Sequence, residues 1–145
     1  MEQEEASIRR IYVEIHNAEN LPNKDVTSKS DPFVTVEIDG KEVFKTRVIK
    51  NQLNPVWEAR ETFKINKDVS KIKFVVRDKN LIGSEVIGKV SINFEDLKGR
   101  NDIIMKDFIL KDSNIKAPAK LKLSLNYREG NNDYKTCKLG YIFSY

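Results

Sequence analysis

Apolar and polar residues alternate along several segments of the chain, with a period of two. Successive side chains of a β-strand point to opposite faces, so this alternation predicts strands with one buried and one solvent-facing side. The apolar positions of five such segments are Ile11, Val13 and Ile15; Val34, Val36 and Ile38; Ile72, Phe74 and Val76; Val90, Ile92 and Phe94; and Leu121, Leu123, Leu125 and Tyr127.

Three further strands are predicted at 43–49, 57–65 and 139–145, and only 93–100 has a short helical pattern. Turn residues such as Asp39-Gly40 and Asn54-Pro55 separate the strands. Many short strands with such breaks are typical of an antiparallel sandwich or barrel. We expect a flexible arm over residues 1–7 and one all-β domain over residues 8–145, since 145 residues suffice for a single core.

Composition excludes several classes of protein. The net charge of +4 is too small to indicate nucleic acid, although it permits an anionic partner. No apolar run exceeds three residues, so we expect neither a membrane-spanning segment nor a signal peptide, and the acidic N-terminus is unlike a transit peptide. A single cysteine and the absence of an Asn-x-Ser/Thr site favour a reducing interior, the cytosol or the nucleus. One histidine with one cysteine cannot complete a zinc site, and no nucleophile stands in a catalytic motif, so we do not expect an enzyme.

Oxygen-bearing side chains recur in two inter-strand segments, 21–33 and 77–88. If both segments lie at the same end of a sandwich, five residues converge: Asp25, Asp31, Asp78, Asn80 and Glu85. Hard oxygen ligands of this kind suit calcium, which takes about six to eight of them in loose geometry. The alternative is that Asp31 and Asp78 are turn residues whose carboxylates bond to their own loop backbone.

Four motifs in this order resemble those of the C2 domain family, from about Ile8 to the end of the chain. They are Asn-Leu-Pro-x-x-Asp at 20–25, Ser-Asp-Pro-Phe-Val at 30–34, Leu-Asn-Pro-Val-Trp at 53–57, and Val-x-Asp-x-Asn from 76 leading to Val-Ile-Gly at 86–88. The resemblance implies an eight-stranded antiparallel Greek-key sandwich in which three loops at one end bind calcium and meet anionic lipid. Because the Ile8 strand leads directly into the first loop, and 139–145 supplies a C-terminal strand, the resemblance implies the type II topology.

The resemblance also assigns the calcium ligands. Asp25 and Asp31 match the aspartates of the first loop, and Asp78 matches the first aspartate of the third loop. Asn80 and Glu85 stand where the family usually has two more aspartates. We therefore expect one or two calcium ions, bound more weakly than by five aspartates, because fewer ligand charges attract the cation less.

Leu81 and Ile82 form an apolar pair at the predicted tip of the third loop. Inserting them into a membrane headgroup region would remove apolar area from water at about 25 cal/mol per Å². The alternative is that one of the two side chains packs back on the loop.

Lys45 and Arg47 fall on one face of a predicted strand. In the resembled family this strand carries a basic cluster that contacts phosphoinositide headgroups, and Phe33 matches an aromatic position there. Arg77 would add a planar donor for phosphate. The alternative is an ordinary solvated strand face.

The leading functional hypothesis is a monomeric cytoplasmic module that calcium recruits to the surface of membranes. Its partners would be anionic phospholipids, namely phosphatidylserine and phosphoinositides. A second hypothesis is a calcium-independent scaffold domain that binds a protein partner, and a third is a constitutive phosphoinositide binder.

Overall fold

The structure, a computed structural model, describes residues 8–23, 28–100, 102–110 and 118–130. This part of the chain is almost entirely β. Its strands are β1 (Ile8–Glu19), β2 (Pro32–Ile38), β3 (Lys41–Lys45), β4 (Val56–Ile65), β5 (Lys71–Lys79), β6 (Ser84–Asn93), β7 (Ile104–Ile109) and β8 (Lys120–Gly130). A single 3₁₀ turn, Phe94–Leu97, lies within the predicted helical stretch 93–100. None of the described segments is a helix long and apolar enough to cross a bilayer.

The strands form two four-stranded antiparallel sheets. The first sheet has the order β4-β1-β8-β7 and the second the order β3-β2-β5-β6. Alternate side chains of both sheets meet in one core, which includes the fully buried Val13, Val36, Phe74 and Leu123. The predicted all-β, eight-stranded antiparallel sandwich is therefore confirmed, and burial of one face of each strand is what fixes its register.

Two details of the topology differ from the sequence expectation. The C-terminal strand expected of the type II topology is β8, which lies between β1 and β7. The sequence pattern predicts this strand at 139–145, which lies outside the described residues. Strand β7 was not anticipated at all. Its outward-facing side carries Met105 and Ile109, which are 60% and 61% exposed, so apolar residues occur on both faces and the alternation is lost.

The loops at one end of the sandwich are joined to one another. We call the connections β1–β2, β3–β4 and β5–β6 loop 1, loop 2 and loop 3. The amide of Leu21 in loop 1 donates to the carbonyl of Leu53 in loop 2 at 3.1 Å, and the amide of Lys79 at the start of loop 3 donates to the carbonyl of Asp31 at 3.0 Å. The three loops therefore share one pole, which we call the loop pole. The predicted flexible arm, residues 1–7, lies outside the described residues.

A partly buried polar bridge crosses the outer face of the first sheet. His16 contacts Glu58 Oε1 through Nδ1 at 2.8 Å and Ser124 Oγ through Nε2 at 2.7 Å. Glu58 has a φ of 47°, in the left-handed region that non-glycine residues rarely occupy, next to an irregularity in the β1–β4 register. Although these three residue types occur in catalytic triads, Ser124 is only 2% exposed, so the bridge ties three strands together and offers no accessible nucleophile.

Tyr12 lies on the same outer face. Burial, together with the nearby Glu14 carboxylate, raises the pKa of the Tyr12 phenol from 10.0 to about 12. Between about pH 10 and pH 12 the unfolded chain loses this proton while the folded chain keeps it. The free energy of unfolding should therefore fall as the pH rises through this window, by about 1 kcal/mol per pH unit from Tyr12.

Urea unfolding at a series of pH values from about 8 to about 11 would measure this fall, with Tyr12→Phe as the comparison. The variant cannot release the phenolic proton, so its stability should decline less steeply above about pH 10. Parallel curves for the two proteins would contradict the assignment.

Candidate functional site

Two of the predicted calcium ligands meet at the loop pole. Pro32 in β2 faces Asp78 in β5 across the central ladder of the second sheet, which brings Asp31 beside Asp78. Oδ1 of Asp78 accepts a hydrogen bond from the Asp31 amide at 2.8 Å. Asp78 is only 1% exposed, yet within the described part of the chain its Oδ2 atom has no hydrogen-bond partner.

Loop 2 fixes the position of the Asp31 carboxylate. The amide of Asn51 donates to Oδ1 of Asp31 at 2.7 Å, and the Asn51 side-chain oxygen accepts from the Lys29 amide at 3.0 Å. Asn51 has a φ of 53°, and asparagine is one of the residues that tolerate this conformation. The sequence analysis did not identify Asn51 as a residue of the site. Its position in a turn-forming segment could have indicated a role in organising the loop.

Within the described residues, the structure does not bring the other predicted calcium ligands, Asn80 and Glu85, together with Asp31 and Asp78. The amide of Asn80 donates to the Gly83 carbonyl at 2.9 Å, which closes the tight turn of loop 3. Gly83 has a φ of 83°, which favours glycine at this position. Glu85 is exposed, although it faces Asp78 in the β5–β6 register. Asp25 lies outside the described residues, and the described ones contain no group of three or more metal-binding side chains placed to hold an ion.

The chemistry of the Asp31–Asp78 pair nevertheless fits a hard cation. A buried carboxylate is costly unless each oxygen is hydrogen-bonded, ion-paired or coordinated. Oδ2 of Asp78 meets none of these conditions within the described structure, whereas Oδ1 is satisfied. Calcium accepts carboxylate and carbonyl oxygens in flexible geometry, which suits a site assembled from loops.

The tip of loop 3 is apolar and fully exposed. Leu81 and Ile82 are 101% and 93% exposed, so neither side chain packs back on the loop. Isolated exposed apolar residues are common on protein surfaces, but these two adjacent side chains project from the loop pole, close to Asp78. Their placement is compatible with contact to an apolar phase.

The predicted headgroup residues lie on or beside the outer face of the second sheet. Lys45 and Arg47 are exposed, and Arg47 donates to the Val56 carbonyl through Nη2 at 3.4 Å. Arg77 is half-buried and donates through Nε to Oγ1 of Thr35 at 3.2 Å. Phe33 faces Arg77 in the β2–β5 register and is only 7% exposed, so it offers little contact area to a ligand.

The same face contains charged residues that sequence reasoning left out of the site. Glu37 lies 3.6 Å from Lys73 Nζ and 4.0 Å from Arg77 Nη2. Lys73 is thus a further cation of this face. It could have been found from its spacing, since it precedes Arg77 by four residues on the strand and therefore shares its side.

Comparison with known proteins finds a matching family model and several relatives. The family model described as "C2 domain" matches residues 9–110, more than half of the chain. Phospholipase D gamma 3 of Arabidopsis thaliana is 39% identical over 88 residues, covering 61% of this chain and 10% of that protein. A calcium-dependent lipid-binding protein of the same plant is 28% identical over 139 residues, covering 90% of this chain and 27% of that protein. The chain thus spans a small part of the length of these relatives.

Among solved structures, a calcium-bound pair of C2 domains from extended synaptotagmin 2 superposes with a TM-score of 0.71 at 21% sequence identity. The match covers 81% of this chain and 45% of that one, and it shows a common fold. The two four-stranded antiparallel sheets, the loops gathered at one pole and the family-model match over residues 9–110 agree with one another. The chain belongs to the C2 domain family.

Proposed function

We propose that this domain binds anionic phospholipid membranes in a calcium-dependent manner, as a cytoplasmic module recruited peripherally to the membrane surface. The C2 domain is a binding module and not a catalytic one, so phospholipase activity is not carried over from the relatives. The observation that carries the proposal is the buried Asp78 carboxylate, whose Oδ2 atom has no hydrogen-bond partner within the described residues.

Calcium would be held at the loop pole by Asp31 and Asp78. Asp25, Asn80 and Glu85 are the remaining proposed ligands, supported by their family positions. When bound, the cation would supply positive charge where the protein otherwise presents carboxylates, which removes the repulsion toward anionic headgroups. The backbone amides of Asp31 and Asn51 keep one oxygen of each carboxylate fixed, so the other oxygens remain available for the ion.

Membrane contact would follow from the position of the apolar tip. Leu81 and Ile82 extend from the same pole, so insertion would bring the calcium site to the headgroup layer. The similarity to a calcium-dependent lipid-binding protein supports both the proposed calcium binding and the proposed membrane contact. The similarity to a calcium-bound pair of C2 domains supports the calcium binding.

A second candidate function is constitutive phosphoinositide binding through the outer face of the second sheet. The exposed Lys45 and Arg47, with Arg77 nearby, support it. This mode would not need calcium, and each basic side chain near an anionic leaflet contributes about 1 kcal/mol to binding. Simultaneous substitution of Lys45 and Arg47 by alanine would then reduce calcium-free binding.

Sedimentation with phosphatidylserine vesicles, in calcium and in chelator, tests the calcium dependence. We expect binding in calcium and little binding in chelator. Asp31→Asn and Asp78→Asn should each reduce the calcium response by about tenfold or more, because each removes a full ligand charge. Glu95→Gln is a matched control, since it removes one exposed carboxylate at the opposite pole.

Equal sedimentation of the unmodified protein in calcium and in chelator would reject calcium dependence. If calorimetric titration with calcium is also silent, the domain functions as a calcium-independent scaffold or as a constitutive lipid binder.

Replacement of both Leu81 and Ile82 by alanine should weaken calcium-dependent vesicle binding by about 100-fold or more, because burying each of these two side chains contributes about 1.5 kcal/mol or more and every 1.4 kcal/mol is about tenfold. Calcium affinity in solution should be unchanged. The matched control replaces Met105 and Ile109 by alanine, which removes two exposed apolar side chains from the edge strand β7. Equal losses in both variants would show that the tip has no special role.

Asp78→Asn should also increase the stability of the calcium-free protein. The substitution removes a buried charge that lacks a partner on one oxygen, while the amide oxygen can still accept from the Asp31 amide. We expect a gain of about 1 kcal/mol in the free energy of unfolding, measured by urea denaturation in chelator. Asp31→Asn, at a more exposed residue, should change stability less; a destabilised Asp78→Asn variant would argue that the carboxylate is structural.

A further inference from the structure

Three basic residues lie side by side on the outer face of the first sheet. Arg10 in β1 is paired with Lys64 in β4 on one side and with Arg128 in β8 on the other. Their side chains face away from the core, because the sequence neighbours Ile11 and Ile65 are buried in it. We call Lys64, Arg10 and Arg128 the basic row.

The three cations of the basic row repel one another. Residues directly opposite in adjacent antiparallel strands have Cβ atoms about 4.5–5.5 Å apart, and like charges at this spacing destabilise a sheet. Arg128 donates through Nε to Oδ1 of Asn126 at 3.0 Å, which keeps its guanidinium on this face. Asn126 belongs to the next row into the sheet, where Thr62 and Tyr12 are likewise uncharged near neutral pH.

The first carboxylate along this face is that of Glu14, two rows from the basic row. It lies opposite Arg60 in β4, and its Oε1 is 3.8 Å from Nε2 of His16. Within these three rows, four cations therefore stand against one carboxylate. Such an excess of positive charge on one patch favours an anionic partner.

An acidic segment of the same chain adjoins the basic row. Residues 1–7 directly precede β1 and contain Glu2, Glu4 and Glu5 with no basic side chain, so their side chains carry a charge of −3. Seven extended residues span at most about 25 Å. Three adjacent strands are only about 10 Å across. From its attachment at Ile8, the segment is thus long enough to cross the whole row.

The other segment that adjoins this pole has the wrong charge. Residues 131–145 follow Gly130, which is paired with Ile8 at the same end of the sheet. They contain one acidic side chain, Asp133, and two basic ones, Lys135 and Lys138. Because a cationic segment would add to the repulsion, charge complementarity selects residues 1–7.

We propose that residues 1–7, the acidic arm, dock on the basic row through Glu2, Glu4 and Glu5. The partner of this surface is then a segment of the chain itself, and the arm for which we expected flexibility is held at the pole opposite the loops. The arm also covers the cations at this end, so an anionic membrane meets the domain at the loop pole. The contact requires neither calcium nor lipid and goes beyond the proposed function.

Paramagnetic relaxation, measured by NMR on the full chain in chelator, tests the contact. A nitroxide label is attached at Gln3→Cys in a Cys137→Ser background, which leaves one thiol. We expect the label to broaden the amide signals of Lys64 and Arg128 more than that of Lys71, which lies at the same pole on the second sheet. An arm that is not held would affect both sides of the pole equally.

Replacement of Glu2, Glu4 and Glu5 by glutamine is the matched control, because the label stays at the same position along the chain. The preference for Lys64 over Lys71 should disappear in this neutralised-arm variant. It should also disappear in about 1 M salt, where the Debye length is only about 3 Å.

Lys64→Gln provides a second readout, the melting temperature. In the neutralised-arm variant it should raise the melting temperature by roughly 2 °C, because it relieves the repulsion from Arg10. In the unmodified chain the same substitution also removes the attraction to the arm, so this increase should be absent. The difference between the two backgrounds measures the coupling of Lys64 to the arm.

Equal broadening at Lys64 and Lys71 in the unmodified chain would overturn the proposal, and so would an equal effect of Lys64→Gln in both backgrounds. A free peptide of residues 1–7 distinguishes the arm from an external acidic partner, since it should shift the Lys64 and Arg128 signals only in the neutralised-arm variant. Equal shifts in the unmodified chain would show that the row is open to an acidic partner in trans, and the arm would not be its occupant. Because these experiments contain no calcium or lipid, either result leaves the calcium-dependent function standing.

Discussion

The antiparallel pairing of β2 with β5, in the middle of the second sheet, determines where the candidate functional groups of this domain lie. Its register runs from Pro32 opposite Asp78 to Ile38 opposite Ile72. One side of this ladder supplies core residues and the other supplies the charged outer face. The end of the ladder at the loop pole places Asp31 next to Asp78. A slip of one residue would exchange the two faces and separate the two carboxylates, so burial of the core residues indirectly fixes the geometry of the proposed calcium site.

Much of the fold could be predicted because its strands bury one face each. The alternation around Val34 and around Phe74 is regular, and both strands were correctly placed. β7 was not predicted because Met105 and Ile109 place apolar side chains on the exposed face of an edge strand, so the alternation of apolar and polar residues is absent there. The topology was also predicted correctly, although the strand that completes the first sheet is β8 and not the one expected at 139–145.

The candidate site was predictable in its residue types but not in its contacts. Motif spacing singled out Asp31 and Asp78, whereas the role of Asn51 depends on a hydrogen bond between loops that are distant in sequence. The contacts of Glu37 with Lys73 and Arg77 follow from the cross-strand register, so the sequence alone does not predict them. Long-range pairings of this kind require the three-dimensional arrangement, because no local pattern specifies which strands become neighbours.

The pairing of Ile8 with Gly130 has a mechanical consequence. These residues are the outer ends of two adjacent antiparallel strands, and they lie at the pole opposite the loops. A tensile force applied between them would load the hydrogen bonds of the β1–β8 ladder one after another, beginning with the end pair. Strands loaded in this way separate by unzipping, which needs less force than shearing many bonds at once. If the domain transmitted tension between a membrane and another structure, its resistance would therefore depend on whether the load entered through the loops or through these two strand ends.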